Sequence, residues 1–394
     1  MEFRKAVKEA LKRREAVPVD AITDYGDMPA RIAEEERGEN RALYFSRGPG
    51  VAMDSVGNLF GSPGRICRAL EAQDYAQLFT RLDAAIDKPS RLQFSGKPGD
   101  GMLRTDAPDL TTLLPSIRHS ADDATPYLTS GILLARYPGT RRHHACFVRM
   151  SLSGGNRLVV NPATRHVRQI VEQSVGRGDP LEVAVLVGAP TEIVFMACVS
   201  VPDGCDKLEV AQALAGGGIS FSDDTLSIPH GTEFVLRGKV LPDYEREGPV
   251  GDQKGLYSVK ERNPVCVVET LWARPDPVFH AIAGGVSREH IELVTLGPRA
   301  VLERIARSCP SILRYELPRF AGGRLAVLVV ADGFDPASIA ERLWDISSVR
   351  GFIAVNGDVD AASAGDVLWA VVERAKVETD FRFSAGVHAA TGAR

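Results

Sequence analysis

Between about residue 106 and residue 275 the chain is written in short β-rich pieces, and no other feature restricts its fold as strongly. TSGILLARY, ACFVRMSLS, NRLVV, LEVAVLVG, EFVLRGKVL, GLYSVK and PVCVVETLW follow one another, separated by Gly, Pro and Asp. Runs of branched and aromatic residues between turn formers predict strands. Only two helical pieces interrupt, RHVRQIVEQS at 165–174 and a second at about 189–199. Many strands with few helices would leave unpaired edges in an open sheet. A closed or split barrel removes them.

The flanks have a different texture. Before residue 106, helical and extended pieces alternate. EAQDYAQLFTRLDAAI (71–86) has helical period, and the Gly- and Pro-rich stretch 47–66 has that of loops and short strands. After about 275 an apolar strand, RLAVLVVADG, leads into a helix begun by Asp335-Pro336, then a strand, FIAVNGDVD, and a helix, GDVLWAVVERA. The expected fold is α/β (α+β) in three parts: an N-terminal α/β domain (1–105), a central split β-barrel (106–275) and a C-terminal α/β domain (276–394). A chain of 394 residues is long enough for two or three domains.

Composition excludes several classes. Lys plus Arg number 47 and Asp plus Glu 51, a net charge of −4, which gives no general attraction to nucleic acid or anionic lipid. No apolar run approaches the ~20 residues that span a bilayer. The opening MEFRKAVKEALKRRE lacks the apolar core of a secretory signal and predicts an amphipathic helix with Phe3, Val7 and Leu11 on one stripe. The triplet Lys12, Arg13, Arg14 is a solvated helix end on this reading. Six scattered cysteines without a CxxC pair predict reduced thiols and a cytoplasmic protein.

Three constellations carry chemistry. Glu247 and Asp252 bracket the turn Gly248-Pro249-Val250-Gly251, which can present two acids to one cavity. Two carboxylates in one apolar cleft do not both ionise easily, and the one kept protonated is a general acid. Acid-rich turns are, however, usually solvated loops. Arg149 interrupts the apolar run ACFVRMSLS. Buried, it needs a carboxylate, and Glu247 or Asp252 would serve; on an alternating strand it would instead face outward. His143 and His144 are adjacent, so on a strand only one can face a site. With His166 and Glu209, such a histidine would suit Mn²⁺, Fe²⁺ or Zn²⁺, although single histidines are more often structural. The glycines at 216–218 fit no phosphate-cradle pattern. Neither GxSxG nor HExxH is present.

In order along the chain, SVGNLFGSPGRI (55–66), TPYLTSGILLARYPGTRRHHACFVRMSL (125–152), IPHGTEFVLRG (228–238), EGPVGD with Gly255-Leu256-Tyr257, and FIAVNGDVDAASAGDVLWAVVER (352–374) are similar to the motifs of one family. The chain resembles the UbiD-like (de)carboxylases, which use prenylated FMN. The resemblance implies a split-barrel flavin domain and a C-terminal oligomerisation domain, hence a homodimer or higher homo-oligomer. It implies reversible non-oxidative decarboxylation of an aromatic, heteroaromatic or α,β-unsaturated acid through a covalent adduct with the cofactor. Arg149, Glu247 and Asp252 take the catalytic positions, with Asp252 the proton donor. His144, His166 and Glu209 take the positions that hold a divalent metal, Mn²⁺ first, on the cofactor phosphate with K⁺ nearby. The Glu209 match needs a two-residue shift. A flavin prenyltransferase would supply the cofactor. Two departures stand out. His144 replaces an asparagine, and GVHAATGAR (386–394) has no counterpart of a phosphate-contacting lysine, with Arg394 or His388 the nearest substitutes. The sequence also stops at that segment, where relatives continue with an extension that helps subunits pack, so the resemblance implies a short member whose oligomeric state and substrate pocket can differ. The missing lysine and the short tail keep open an alternative, a non-catalytic flavin-binding or structural subunit of a larger complex.

Overall fold

The computed structural model describes residues 1–19, 22, 24–252, 254–346 and 348–376. The segment 386–394, with Arg394 and His388, lies outside them. Two compact units emerge, 1–293 and 294–394. Among the described residues, no helix is long and apolar enough to cross a membrane, and all six cysteines are free.

In the first unit, a four-stranded sheet begins with Ala16–Val19 parallel to Ala42–Phe45. Asp54–Gly57 follows antiparallel, and Val278–Ala281 pairs parallel with it. The last strand comes from beyond the β-rich region, so the chain leaves this sheet at residue 57 and returns to it after more than two hundred residues. Helix Phe3–Lys12 buries Phe3, Ala6, Val7 and Ala10 and leaves Lys12, Arg13 and Arg14 in solvent. The NLFG segment is a structural turn. Buried Arg65 donates to the carbonyls of Asn40, Asn58 and Leu59. Glu289 accepts the Phe60 amide at 2.9 Å and pairs with His280 at 2.9 Å.

Nine strands form the large central sheet: β1 Leu103–Asp106, β2 Tyr127–Leu128, β3 Ile132–Arg136, β4 His143–Phe147, β5 Met150–Leu152, β6 Arg157–Val160, β7 Leu181–Val187, β8 Phe234–Gly251 and β9 Tyr257–Ala273. Their order is β2-β5-β6-β9-β8-β7-β3-β4, with β1 added beside β9. The two ends belong to one hairpin. β3 pairs with β4 at one end, and the same two chains run on into β2 and β5, which pair at the other. Between them the ladder breaks at 129–131 and 148–149, bridged by the Val148 amide on the Gly131 carbonyl at 3.1 Å. The sheet therefore curls until one hairpin supplies both rims, and it stays split along that seam instead of closing. A continuous core runs inside it, including Leu133, Met150, Leu158, Val185, Leu236 and Val268.

ACFVRMSLS is thus not one strand. It crosses the seam, and Arg149 sits where the ladder is interrupted. EFVLRGKVL does not end at its prolines: β8 continues through Pro242 and Pro249 to Gly251, and GLYSVK and PVCVVETLW fuse into β9. The ladder absorbs the disturbance through register shifts at 241/244, 245/247 and 247/250. Proline has no N–H for a ladder, so such irregularities are where it is tolerated.

In the second unit, Ile312–Glu316 pairs antiparallel with Leu325–Val330, which pairs parallel with Gly351–Val355. Helix Ala364–Arg374, capped by Ser363, buries Val367 and Ala370.

Candidate active site

The seam delivers Arg149 to Glu247. Nε donates to Oε1 at 2.7 Å and a terminal nitrogen donates to Oε2 at 3.1 Å, a two-point contact between groups 98 residues apart. The Glu247 side chain has no exposure, while that of Arg149 keeps 22 %. A buried carboxylate is tolerated when its charge and lone pairs are answered. The third partner is Asn263 on β9, whose side-chain amide donates to Glu247 Oε2 at 2.7 Å. The turn's two acids therefore have separate partners. Glu247 has a dedicated cation and an amide, and Arg149 faces inward.

Asp252 sits just past the end of β8. Its Oδ1 accepts the Lys254 amide at 2.8 Å and the Leu256 amide at 3.4 Å, and Lys254 Nζ lies 3.6 Å from Oδ2. The turn is anchored from outside by Asp123, a buried acid that sequence reasoning passed over. Its Oδ1 accepts the Gly251 amide at 2.9 Å, and its Oδ2 accepts the amides of His119 and Ser120 at 3.0 Å each.

Two further histidines flank this turn. His119 accepts the Gly284 amide on Nδ1 at 3.1 Å and, with Nε2 then the protonated nitrogen, donates to the Tyr127 carbonyl at 3.2 Å. Burial lowers its pKa to about 4, so it stays neutral. His290 donates from Nδ1 to the Gly285 carbonyl at 2.8 Å. Burial lowers its pKa as well, and the charges of both Arg149 and Asp252 act on it.

The expected metal ligands behave differently. His144, on β4, is 5 % exposed. Its ring centroid lies 5.4 Å from that of His166, in the first turn of helix Arg165–Ser174. The Tyr137 hydroxyl lies 3.4 Å from His144 Nδ1 and 3.0 Å from His166 Nδ1. Burial holds His144 far below the usual imidazole range, at about 2, helped by the charge of Lys207. Glu209 does not join them. Its charged neighbours are Asp206, His143 and Arg91, and burial raises its pKa. Successive helical residues are about 100° apart, so in helix Lys207–Leu214 residue 209 points about 200° away from residue 207. Lys207, not Glu209, faces the two histidines. His143, on the other face of β4, gives its backbone N–H and Nδ1 to Asp206 Oδ2, both at 2.8 Å. Among the described residues no three His, Cys, Asp or Glu side chains gather into a metal-binding group.

Fold and site define a class, a split-barrel protein with an Arg–Glu pair at the seam and a separate cluster in which Tyr137 and His144 of the same hairpin meet His166 and Lys207 from two helices. Comparison with known proteins makes the class specific. Residues 96–287 match the 3-octaprenyl-4-hydroxybenzoate carboxy-lyase Rift-related domain, and residues 293–391 match the C-terminal domain of the same enzyme. The chain belongs to the UbiD family of carboxy-lyases. Among curated relatives, the anhydromevalonate phosphate decarboxylase of Methanothermobacter thermautotrophicus is 26% identical over 309 residues, covering 76% of this chain and 72% of that one. Its namesake from Aeropyrum pernix is 25% identical over 359 residues, covering 89% and 80%. A solved structure of an evolved dimeric form of HmfF from Pelotomaculum thermopropionicum, in complex with prFMN, superposes with a TM-score of 0.87 at 25% identity, covering 98% of this chain and 92% of that one. Klebsiella pneumoniae 3,4-dihydroxybenzoic acid decarboxylase shares the fold, with a TM-score of 0.80 at 20% identity.

Proposed function

We propose that this carboxy-lyase removes CO₂ reversibly from an aromatic, heteroaromatic or α,β-unsaturated acid with the help of bound prenylated FMN. The observation that carries the reading is the two-point Arg149–Glu247 pair, fully buried on the glutamate side and partly open on the arginine side. The relatives' activity and the prFMN bound by HmfF support the same reading.

The residues present fit a phosphorylated flavin. His144 Nε2 is a buried polar atom without a hydrogen-bond partner among the described residues, in a cavity also lined by His166, Arg142 and Lys207. That cluster suits an anionic group, and Arg149 stands five residues along the same hairpin, at most about 17 Å away in extended chain. When bound, prenylated FMN supplies the electron sink for the charge left as the C–CO₂ bond breaks. The protein's part is position and protons. Glu247 and Asn263 hold the Arg149 guanidinium, whose open side can take a substrate carboxylate. Asp252, held by the Lys254 and Leu256 amides, delivers a proton from Oδ2 to the carbon that lost CO₂. Lys254 and His290 set the charge around it. The residues present do not fit the expected divalent metal, because Glu209 is turned from His144 and His166 and Lys207 stands in its place.

With this function go a three-part organisation (1–105, 106–275, 276–394), a cytoplasmic homo-oligomer and a flavin prenyltransferase as cofactor supplier. The test is to purify the protein from cells with and without such a prenyltransferase, compare absorbance and native mass, and measure CO₂ release from a panel of unsaturated acids. A bound mass of prenylated FMN is expected, with release cut at least ~100-fold in both Glu247→Gln and Asp252→Asn. Unchanged turnover in both variants refutes the assignment. Flavin without turnover, together with a larger co-purifying partner, would favour the subunit alternative.

A further inference from the structure

We propose that Lys207, with His144, His166 and Tyr137, forms a metal-free anion site that takes the flavin phosphate directly, the lysine ammonium standing in for the expected divalent cation. The proposal rests on the flavin reading above.

Lys207 is the first residue of its helix and is 4 % exposed. Its Nζ donates to the Ala145 carbonyl at 3.0 Å and the Met196 carbonyl at 2.9 Å. An ammonium has three N–H groups, so one is left to donate. Among the described residues no carboxylate forms an ion pair with Lys207. A buried charge without a counter-ion is costly, and an anion at the third N–H would supply the missing counter-charge.

The neighbours agree. His144 Nε2 is buried and unpartnered among the described residues. The Tyr137 hydroxyl carries a single proton and lies between two imidazoles, so it donates to one Nδ1 and leaves that ring's proton on Nε2, a donor. The Arg142 guanidinium lies 4.7 Å from the centre of the Tyr137 ring.

The acids that a metal would need are committed elsewhere. Asp206 Oδ2 is taken by His143, and its Oδ1 caps the helix at the Leu208 amide, 2.8 Å away. Glu209 lies on the far side of that helix. Of the acids, Asp203 acts on both His166 and Tyr137, and it is exposed. A divalent cation here would meet a buried ammonium with one solvated carboxylate for compensation, whereas a phosphate dianion would meet charge-assisted donors on several sides.

The experiment uses the full-length protein, treated with EDTA and desalted. FMN and riboflavin, which differ by the phosphate, are titrated by flavin fluorescence with and without added MnCl₂, and metal content is measured by mass spectrometry. We expect FMN to bind at least ~10-fold more tightly than riboflavin, with no retained metal and no response to MnCl₂. Lys207→Met should erase that preference while leaving riboflavin affinity unchanged, which also reports that the variant is folded. If that variant does not fold, His166→Ala on the more open side of the cluster must weaken FMN and spare riboflavin. FMN binding that requires Mn²⁺, one equivalent of retained metal, or a phosphate preference that survives in the folded variants overturns the metal-free site and leaves the flavin reading standing. Failure of both flavins to bind overturns the flavin reading itself.

Discussion

Asp123→Asn tests whether the acid-bearing turn is held from outside. The carboxylate accepts three amides, with Gly251 on Oδ1 and His119 and Ser120 on Oδ2. An asparagine has one carbonyl oxygen, so its better rotamer keeps the two bonds at His119 and Ser120 and turns its NH₂ against the Gly251 N–H. One charge-assisted bond is lost, two are weakened, and a half-buried donor is left without a partner. The cost is about 2–4 kcal/mol. For a unit of nearly three hundred residues, such a loss lowers the first thermal transition by about 4–8 °C. Hydrogen exchange should speed up at the Gly251 amide and stay slow at Ser120, whereas Asp123→Ala should release all three amides and cost more. Equal costs for the two substitutions, or an unchanged Gly251 exchange rate in Asp123→Asn, would refute the argument.

Two further outcomes follow from the same geometry. Gly238 sits at a register shift between β8 and β9, where a Cβ would lie 2.1 Å from the Val267 carbonyl oxygen. Backbone cannot rotate aside, so Gly238→Ala should cost about 3 kcal/mol, while Gly176→Ala, with open space around it, should be near neutral in thermal denaturation. His119 has its pKa lowered by burial to about 4. The unfolded chain therefore binds the extra proton first, between the ordinary histidine value near 6.5 and about 4. The stability contributed by neutral His119 is complete above pH 6.5 and is lost as pH falls through that window. Midpoints measured from pH 7 to pH 4.5 should fall less steeply in His119→Gln than in the wild type.

Much of the barrel was legible because its strands repeat one pattern. A charge inside ACFVRMSLS demanded a partner, and an acid-bracketed turn offered two. Which acid would answer, and that the strand breaks at Arg149, depends on the seam, where segments a hundred residues apart meet. Asn263 and Asp123 gave no signal, because an ordinary polar residue gains its role only when a distant segment folds against it. The prolines of β8 and β9 were misleading for a local reason, since bulges accommodate them within a strand. Glu209 shows how a linear match fails on a helix. A shift of two residues is small along a sequence and more than half a turn around the axis, and it exchanged a carboxylate for an ammonium.

The seam also bears on when the site comes into being. The β3–β4 and β5–β6 pairings are local and can form early, but linking the two rims through β9, β8 and β7 requires distant pairings such as Arg157 with Val267. Contacts of such long sequence separation are the slow ones in folding. Arg149 rides on that final closure, and its partner lies 98 residues further along the chain. A chain in which these segments have not yet met therefore carries Arg149 and Glu247 apart, each in water. The ion pair is a proofreading mark, completed only on a finished barrel.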